Sequence, residues 1–160
     1  MNTKKCKENV NKMSMSFRPI VEADFEEILS MMKVFYASDA LLIHPQETTL
    51  CRTLTDVIGD DPFVQGFAFE YEGVLAGYGM IAKSYSTEAG GHCVWIEDIY
   101  VLPEFRGKGL GTAFLKFVQN QFPKAVRIRL EAEPENEKAM SVYRAAGFTE
   151  LGYTQLIIDR

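Results

Sequence analysis

The chain predicts an α/β (α+β) fold, a mixed sheet with helices packed on it, and three observations carry that prediction. Segments of strand and helix character alternate in the order β-α-α-β-β-β-α-β-α-β. A glycine run, Arg106-Gly107-Lys108-Gly109-Leu110-Gly111, joins a strand to a helix. At 160 residues, 47% hydrophobic and 24% charged, the chain suits one globular domain with its own core.

Phe17-Arg18-Pro19-Ile20 has the character of a short first strand. Asp24 then stands where an N-cap would, with Glu27 three residues on to complete a capping box. Phe25, Ile28, Leu29, Met32 and Phe35 or Tyr36 recur at helical spacing. A second helix is expected from Pro45 to Ile58, before the break Gly59-Asp60-Asp61-Pro62. Phe63–Tyr71 and the segment from Val74 to Lys83 are expected strands, joined by a hairpin turn at Glu72-Gly73. Ser84 to Gly91 is expected as a loop into a strand over Val94–Leu102, which Pro103 ends. The helix after the glycines carries Leu110, Ala113, Phe114, Phe117 and Val118 on one stripe, and Pro123 stops it. A strand follows over Ala125–Ala132. The next helix runs from Asn136, its cap, to Ala146, with Gly147 at its end. Thr149 to Asp159 closes the chain with strand character.

The net charge of −5 argues against non-specific binding to nucleic acid. No apolar run approaches the ~20 residues of a membrane span. The lysine-rich start lacks the apolar segment of a secretory signal, so residues 1–15 are expected to be a disordered extension and 16–160 a single domain. Cys6, Cys51 and Cys93 form no paired motif, and with two scattered histidines they give no metal signature. An odd cysteine count without a framework points to a reducing compartment, hence the cytoplasm.

The glycine run has two readings. Its glycines let backbone approach a ligand, the helix start offers unpaired N–H groups, and Arg106 and Lys108 add charge. Together these suit a phosphate or pyrophosphate. The alternative is a turn that merely lets strand and helix pack. The run fits neither the Walker loop nor the dinucleotide fingerprint, whose third glycine would come one residue later.

Val101-Leu102-Pro103-Glu104-Phe105-Arg106-Gly107-Lys108-Gly109-Leu110-Gly111 resembles the cofactor motif of the GCN5-related N-acetyltransferase (GNAT) superfamily. Asn136-Glu137-Lys138-Ala139-Met140-Ser141-Val142-Tyr143-Arg144-Ala145-Ala146-Gly147-Phe148 is similar to that family's later Asn-x-x-Ala-x-x-x-Tyr-x-x-x-Gly-Phe block. The resemblance runs from Phe17 to the C-terminus. It implies a mostly antiparallel mixed sheet, helices on both faces, and acetyl-coenzyme A in a gap where two parallel strands splay apart. The backbone of Ile99, Tyr100 and Val101 would pair with the pantetheine arm. The N–H groups of Arg106, Gly107, Lys108, Gly109, Leu110, Gly111 and Thr112 would hold the pyrophosphate. Asn136, Ala139 and Tyr143 would share the helix face turned to the cofactor gap. The implied activity is acetyl transfer to a primary amine of a small molecule, without a metal.

Such transfer needs a neutral amine, donors for the developing oxyanion and an acid for the leaving thiolate. Tyr143 is the candidate acid; the other reading is a half-buried ring that only packs. Glu97 and Asp98 are the candidate bases, directly or through water. Neighbouring strand residues face opposite ways, so at most one meets the cleft unless a bulge intervenes. Trp95-Ile96-Glu97-Asp98-Ile99-Tyr100-Val101 also resembles the Glu-Asp-x-x-Val segment of polyamine and diamine acetyltransferases, which favours Glu97 as base and leaves Asp98 to hold backbone or loop. Tyr85, Ser86 and Glu88 either wall the acceptor site or sit in a plain hairpin loop. Tyr36 and His44 lie in the helical region that covers the acceptor side in this family. No histidine–aspartate arrangement supports Cys51 or Cys93 as an acyl-carrying nucleophile. The last strand offers an edge for pairing two copies, and a homodimer is expected.

Overall fold

The computed structural model describes residues 14–38, 41 and 43–159; of the expected N-terminal extension, residues 1–13 lie outside these. Five strands form one sheet in the order β1-β2-β3-β4-β5. They are β1 (Met15–Pro19), β2 (Val64–Tyr71), β3 (Val74–Ser86), β4 (Gly91–Val101) and β5 (Arg127–Leu130). β1 to β4 pair antiparallel, and β4 pairs parallel with β5. The β2–β3 turn at Glu72-Gly73 has φ of 52° and 79°, as the expected hairpin requires.

Two apolar layers clamp the sheet. On one face α1 (Phe25–Tyr36) and α2 (Glu47–Ile58) place Ile28, Met32, Leu50 and Leu54 over Ala68, Tyr78, Met80 and Tyr100. On the other, α3 (Leu110–Gln121) buries Leu110, Phe114, Leu115 and Val118 against Phe67, Phe69, Ile81, Val94 and Ile96. α4 (Glu137–Ala145) adds Val142 and Tyr143 to that second layer. Helices therefore cover both faces, as the resemblance implied. Among the described residues no helix is long and apolar enough to cross a membrane.

Several expectations need correction. Asp24 precedes α1 but does not cap it. Its carboxylate takes two bonds from Arg18, at 2.6 and 2.9 Å, and the Val21 N–H at 2.9 Å. A paired guanidinium outcompetes a lone amide for that carboxylate. It holds the Asp24 carboxyl well below the usual carboxylate range. Second, only the middle of Ser84 to Gly91 is a turn: β3 runs to Ser86 and β4 starts at Gly91. Third, β5 is shorter than Ala125–Ala132, and α2 starts at Glu47 rather than Pro45.

Finally, Thr149 to Asp159 forms no strand. Its alternating apolar residues find no ladder, and Leu156 and Ile158 stay 92% and 88% exposed. Polar side chains tether the segment instead, Gln155 to Glu131 and Tyr153 to Glu88.

Candidate active site

The β4–β5 ladder defines the site. Its pairs run from Cys93↔Arg127 to Ile96↔Leu130 and stop there, while β4 continues to Val101 beside β3 alone. From Glu97 onward the edge of β4 facing β5 has no strand partner. Such an edge can take backbone hydrogen bonds from an extended ligand.

At the same point β4 bulges. Ile81 pairs with Ile96 and Met80 with Asp98, which leaves Glu97 as the extra residue. Ile96 and Ile99 both pack into the α3 layer, so two residues, not one, lie between them. Asp98 points to α1, where Tyr36 and Tyr78 donate to it at 2.7 and 3.2 Å. Glu97 lies close enough to Asp98, Tyr36 and Glu131 to influence or feel their charge. The bulge thus brings both acidic residues toward the α1–α2 side, which regular alternation would forbid.

Their environments differ. Asp98 is 3% exposed and sealed beneath the two tyrosines, so it joins α1 to the sheet rather than meeting an acceptor. Burial pushes its carboxyl up to about 6, although both phenol hydrogen bonds pull the other way. Glu97 is exposed. Partial desolvation and then the Glu131 charge raise its carboxyl, the direction that suits a proton acceptor near neutral pH.

A pH effect on stability follows from Asp98. Its folded value exceeds the ordinary 3.8, so the fold binds this proton more tightly than the unfolded chain does. Stability from this group is complete below about 4 and is lost as pH rises through about 6. Asp98→Asn cannot ionise. In urea unfolding at a series of pH values, its stability relative to wild type should rise by about 3 kcal/mol between pH 4 and 7. A constant difference would mean that Asp98 titrates as an ordinary carboxylate.

The glycine run lies between a 3₁₀ turn at Pro103–Phe105 and α3. Gly107 and Gly109 have φ of 77° and 85°, the left-handed region in which a side chain is strained. A Cβ at either would meet nothing within 4 Å, so open space borders both. The Arg106 N–H is already donated to the Pro103 carbonyl, and its Nε to the Val101 carbonyl at 3.0 Å. Lys108 lies over the rings of Tyr71 and Phe105. The amides of Leu110, Gly111 and Thr112 fall in the first turn of α3, whose backbone ladder begins with the Ala113 N–H. These features fit a pyrophosphate: open space, a helix start and nearby cations.

After β5 along the chain, Asn136 caps α4 by accepting the Ala139 N–H at 3.2 Å, as its place in the motif suggested. Tyr143 packs beside Phe148 with ring centroids 6.3 Å apart. Burial raises its phenol, so it is protonated at neutral pH. No described residue hydrogen-bonds its hydroxyl.

The remaining candidates fall into two clefts. His44 donates its Nδ1–H to the Tyr36 carbonyl, 2.5 Å away, and both residues line a cleft of about 390 Å³ with Lys33 and Glu47. The Tyr36 hydroxyl is committed to Asp98, so only its ring is available there. Tyr85, Ser86 and Glu88 border a second cleft of about 340 Å³. Ser86 Oγ closes the β3–β4 turn by accepting the Ala89 N–H. Trp95 and Arg129 also line this cleft and were missed in the sequence. Their signal was available in the alternation Arg127-Ile128-Arg129-Leu130, which puts both arginines on one face.

Among known proteins, the acetyltransferase (GNAT) family profile matches residues 25–148. A thialysine N-epsilon-acetyltransferase from Mus musculus is 29% identical over 148 residues, 86% of each chain. A possible acetyltransferase from Clostridium difficile 630 shares the fold with a TM-score of 0.78 at 19% identity, over 91% of this chain and 97% of that one. An aminoglycoside N-acetyltransferase solved in complex with CoA superposes with a TM-score of 0.70 at 21% identity, over 92% of this chain and 96% of the other. The profile spans the bulged strand, the glycine run and the α4 motif together, and by that match the chain is an acyltransferase belonging to the acetyltransferase (GNAT) family.

Proposed function

We propose that the protein transfers the acetyl group of acetyl-coenzyme A to a primary amine of a small molecule by direct attack. The observation that carries this reading is the β4 bulge. It brings Glu97 to the α1–α2 face, taken in this reading as the acceptor side, at the point where the β4–β5 ladder opens. The named relatives acetylate thialysine and aminoglycosides, both of which present amines.

In this reading the free edge of Ile99 to Val101 pairs with the pantetheine arm. The amides from Gly107 to Thr112 hold the pyrophosphate. Glu97 takes a proton from the acceptor ammonium, directly or through water. The neutral nitrogen bonds to the acetyl carbon, the carbon–sulfur bond breaks, the thiolate takes the Tyr143 proton, and the proton still on the acylated nitrogen passes through water to restore the phenol, while Glu97 gives its proton to solvent. Asp98 positions the centre by tying Tyr36 of α1 and Tyr78 of β3 to β4.

Gly109→Ala tests the cradle. A side chain at φ 85° strains the loop, costing about 1–2 kcal/mol, and its methyl enters the space assigned to pyrophosphate. Calorimetric titration should show coenzyme A affinity falling about tenfold or more. Unchanged affinity would move the pyrophosphate elsewhere. For the reaction itself, the protein is incubated with acetyl-coenzyme A and a panel of primary amines, and products are identified by mass. An N-acetylated amine is expected. Tight coenzyme A binding with no acetylated amine anywhere in the panel would make this a non-catalytic coenzyme A-binding module.

A further inference from the structure

One cluster on the acceptor face has no part in the transfer described above. Trp95 and Arg129 are paired positions of β4 and β5. Both face away from α3, because Val94, Ile96, Ile128 and Leu130 on either side of them pack into that layer. The guanidinium of Arg129 lies over the Trp95 ring, 5.3 Å from its centroid. Its Nε is buried and has no hydrogen-bond partner among the described residues. The Glu88 carboxylate comes within 3.9 Å of Arg129 Nη2, but Arg127 engages it at 2.5 Å and the Tyr153 hydroxyl at 3.0 Å. Two arginines therefore share one carboxylate, held closely by Arg127 and only at 3.9 Å by Arg129.

A buried guanidinium edge with no acceptor is costly, and a carboxylate is the group that matches its planar fork. The Trp95 ring holds that fork flat, and the second cleft opens beside it. Glu97 stands two positions farther along β4, about 7 Å away along the strand. A second ammonium would meet the charge of Arg129, whereas a carboxylate would neutralise it.

Resting on the amine-acetylation reading, we propose that Arg129 binds a carboxylate of the acceptor. An acceptor that carries a carboxylate as well as its reacting amine is then preferred over a simple diamine. Arg129 acts as a specificity-determining residue and has no role in bond making.

The test compares L-lysine with 1,5-diaminopentane, which differs by lacking the carboxylate. Wild type should show the lower KM for L-lysine. Arg129→Gln should raise that KM about tenfold to a hundredfold with little change in kcat, and abolish the preference. Arg129→Lys, which keeps charge but loses the fork, should restore part of it. Trp95 is the single tryptophan, so its fluorescence reads binding without turnover. With coenzyme A present, L-lysine should shift it, 1,5-diaminopentane should not, and Arg129→Gln should remove the response. Preference for the diamine, equal KM changes for both amines, or a fluorescence response that survives Arg129→Gln would overturn the proposal. A carboxylate-dependent fluorescence response without acetylation of any amine would instead sink the proposed reaction and leave this site standing.

Discussion

Glu97→Gln should lower kcat/KM for a primary amine by about a thousandfold at pH 7, with the deficit shrinking as pH rises. The reason is the amine. With a pKa near ~10.4, only about one molecule in a few thousand is neutral at pH 7. An ionised Glu97 accepts the proton from the ammonium inside the site and removes that penalty. The variant must wait for amine that arrives neutral, and neutral amine increases about tenfold per pH unit up to its pKa. Wild type should therefore rise with pH only until Glu97 ionises, above the ordinary glutamate range because desolvation and Glu131 raise its carboxyl. A pH–rate profile of both proteins checks this. A deficit equal at all pH values would remove Glu97 from proton transfer and leave water or the substrate's own ionisation as the route.

Tyr143→Phe should reduce kcat about a hundredfold or more while leaving coenzyme A affinity within a few-fold. The ring packs against Phe148 and stays in the variant, so the fold should lose little. What disappears is a phenol that burial keeps protonated and that no described residue hydrogen-bonds. A thioester carrying a far better leaving thiolate should recover much of the lost rate, since it needs less help from an acid. If Tyr143→Phe turns over like wild type, the α4 tyrosine is packing alone.

Much of this site was legible in the chain. Gly107 and Gly109 announced a backbone built for close approach to a ligand, and the structure holds both at positive φ beside open space. Asn136 and Gly147 marked the ends of α4 through local chemistry, which tertiary contacts seldom override. The α1 stripe read correctly because helical spacing is repetitive. What the sequence concealed depends on partners distant along the chain. The Glu97 bulge exists only in the register between β3 and β4, and no local signal predicts a register shift. The two tyrosines on Asp98 come from residues 62 and 20 positions away. Asp24 looked like a cap until Arg18, on the first strand, claimed its carboxylate. Thr149 to Asp159 shows why alternation alone is weak evidence: a strand also needs an edge to pair with.

Direct transfer is the central claim, and a single-turnover measurement with the protein in excess over acetyl-coenzyme A tests it most directly. Without an amine, no free thiol should appear and intact-mass analysis should find no acetyl group on the protein. On adding the amine, one thiol should be released for each N-acetyl product formed. Thiol release before the amine arrives, matched by an acetylated protein, would contradict direct attack and require an acyl-enzyme.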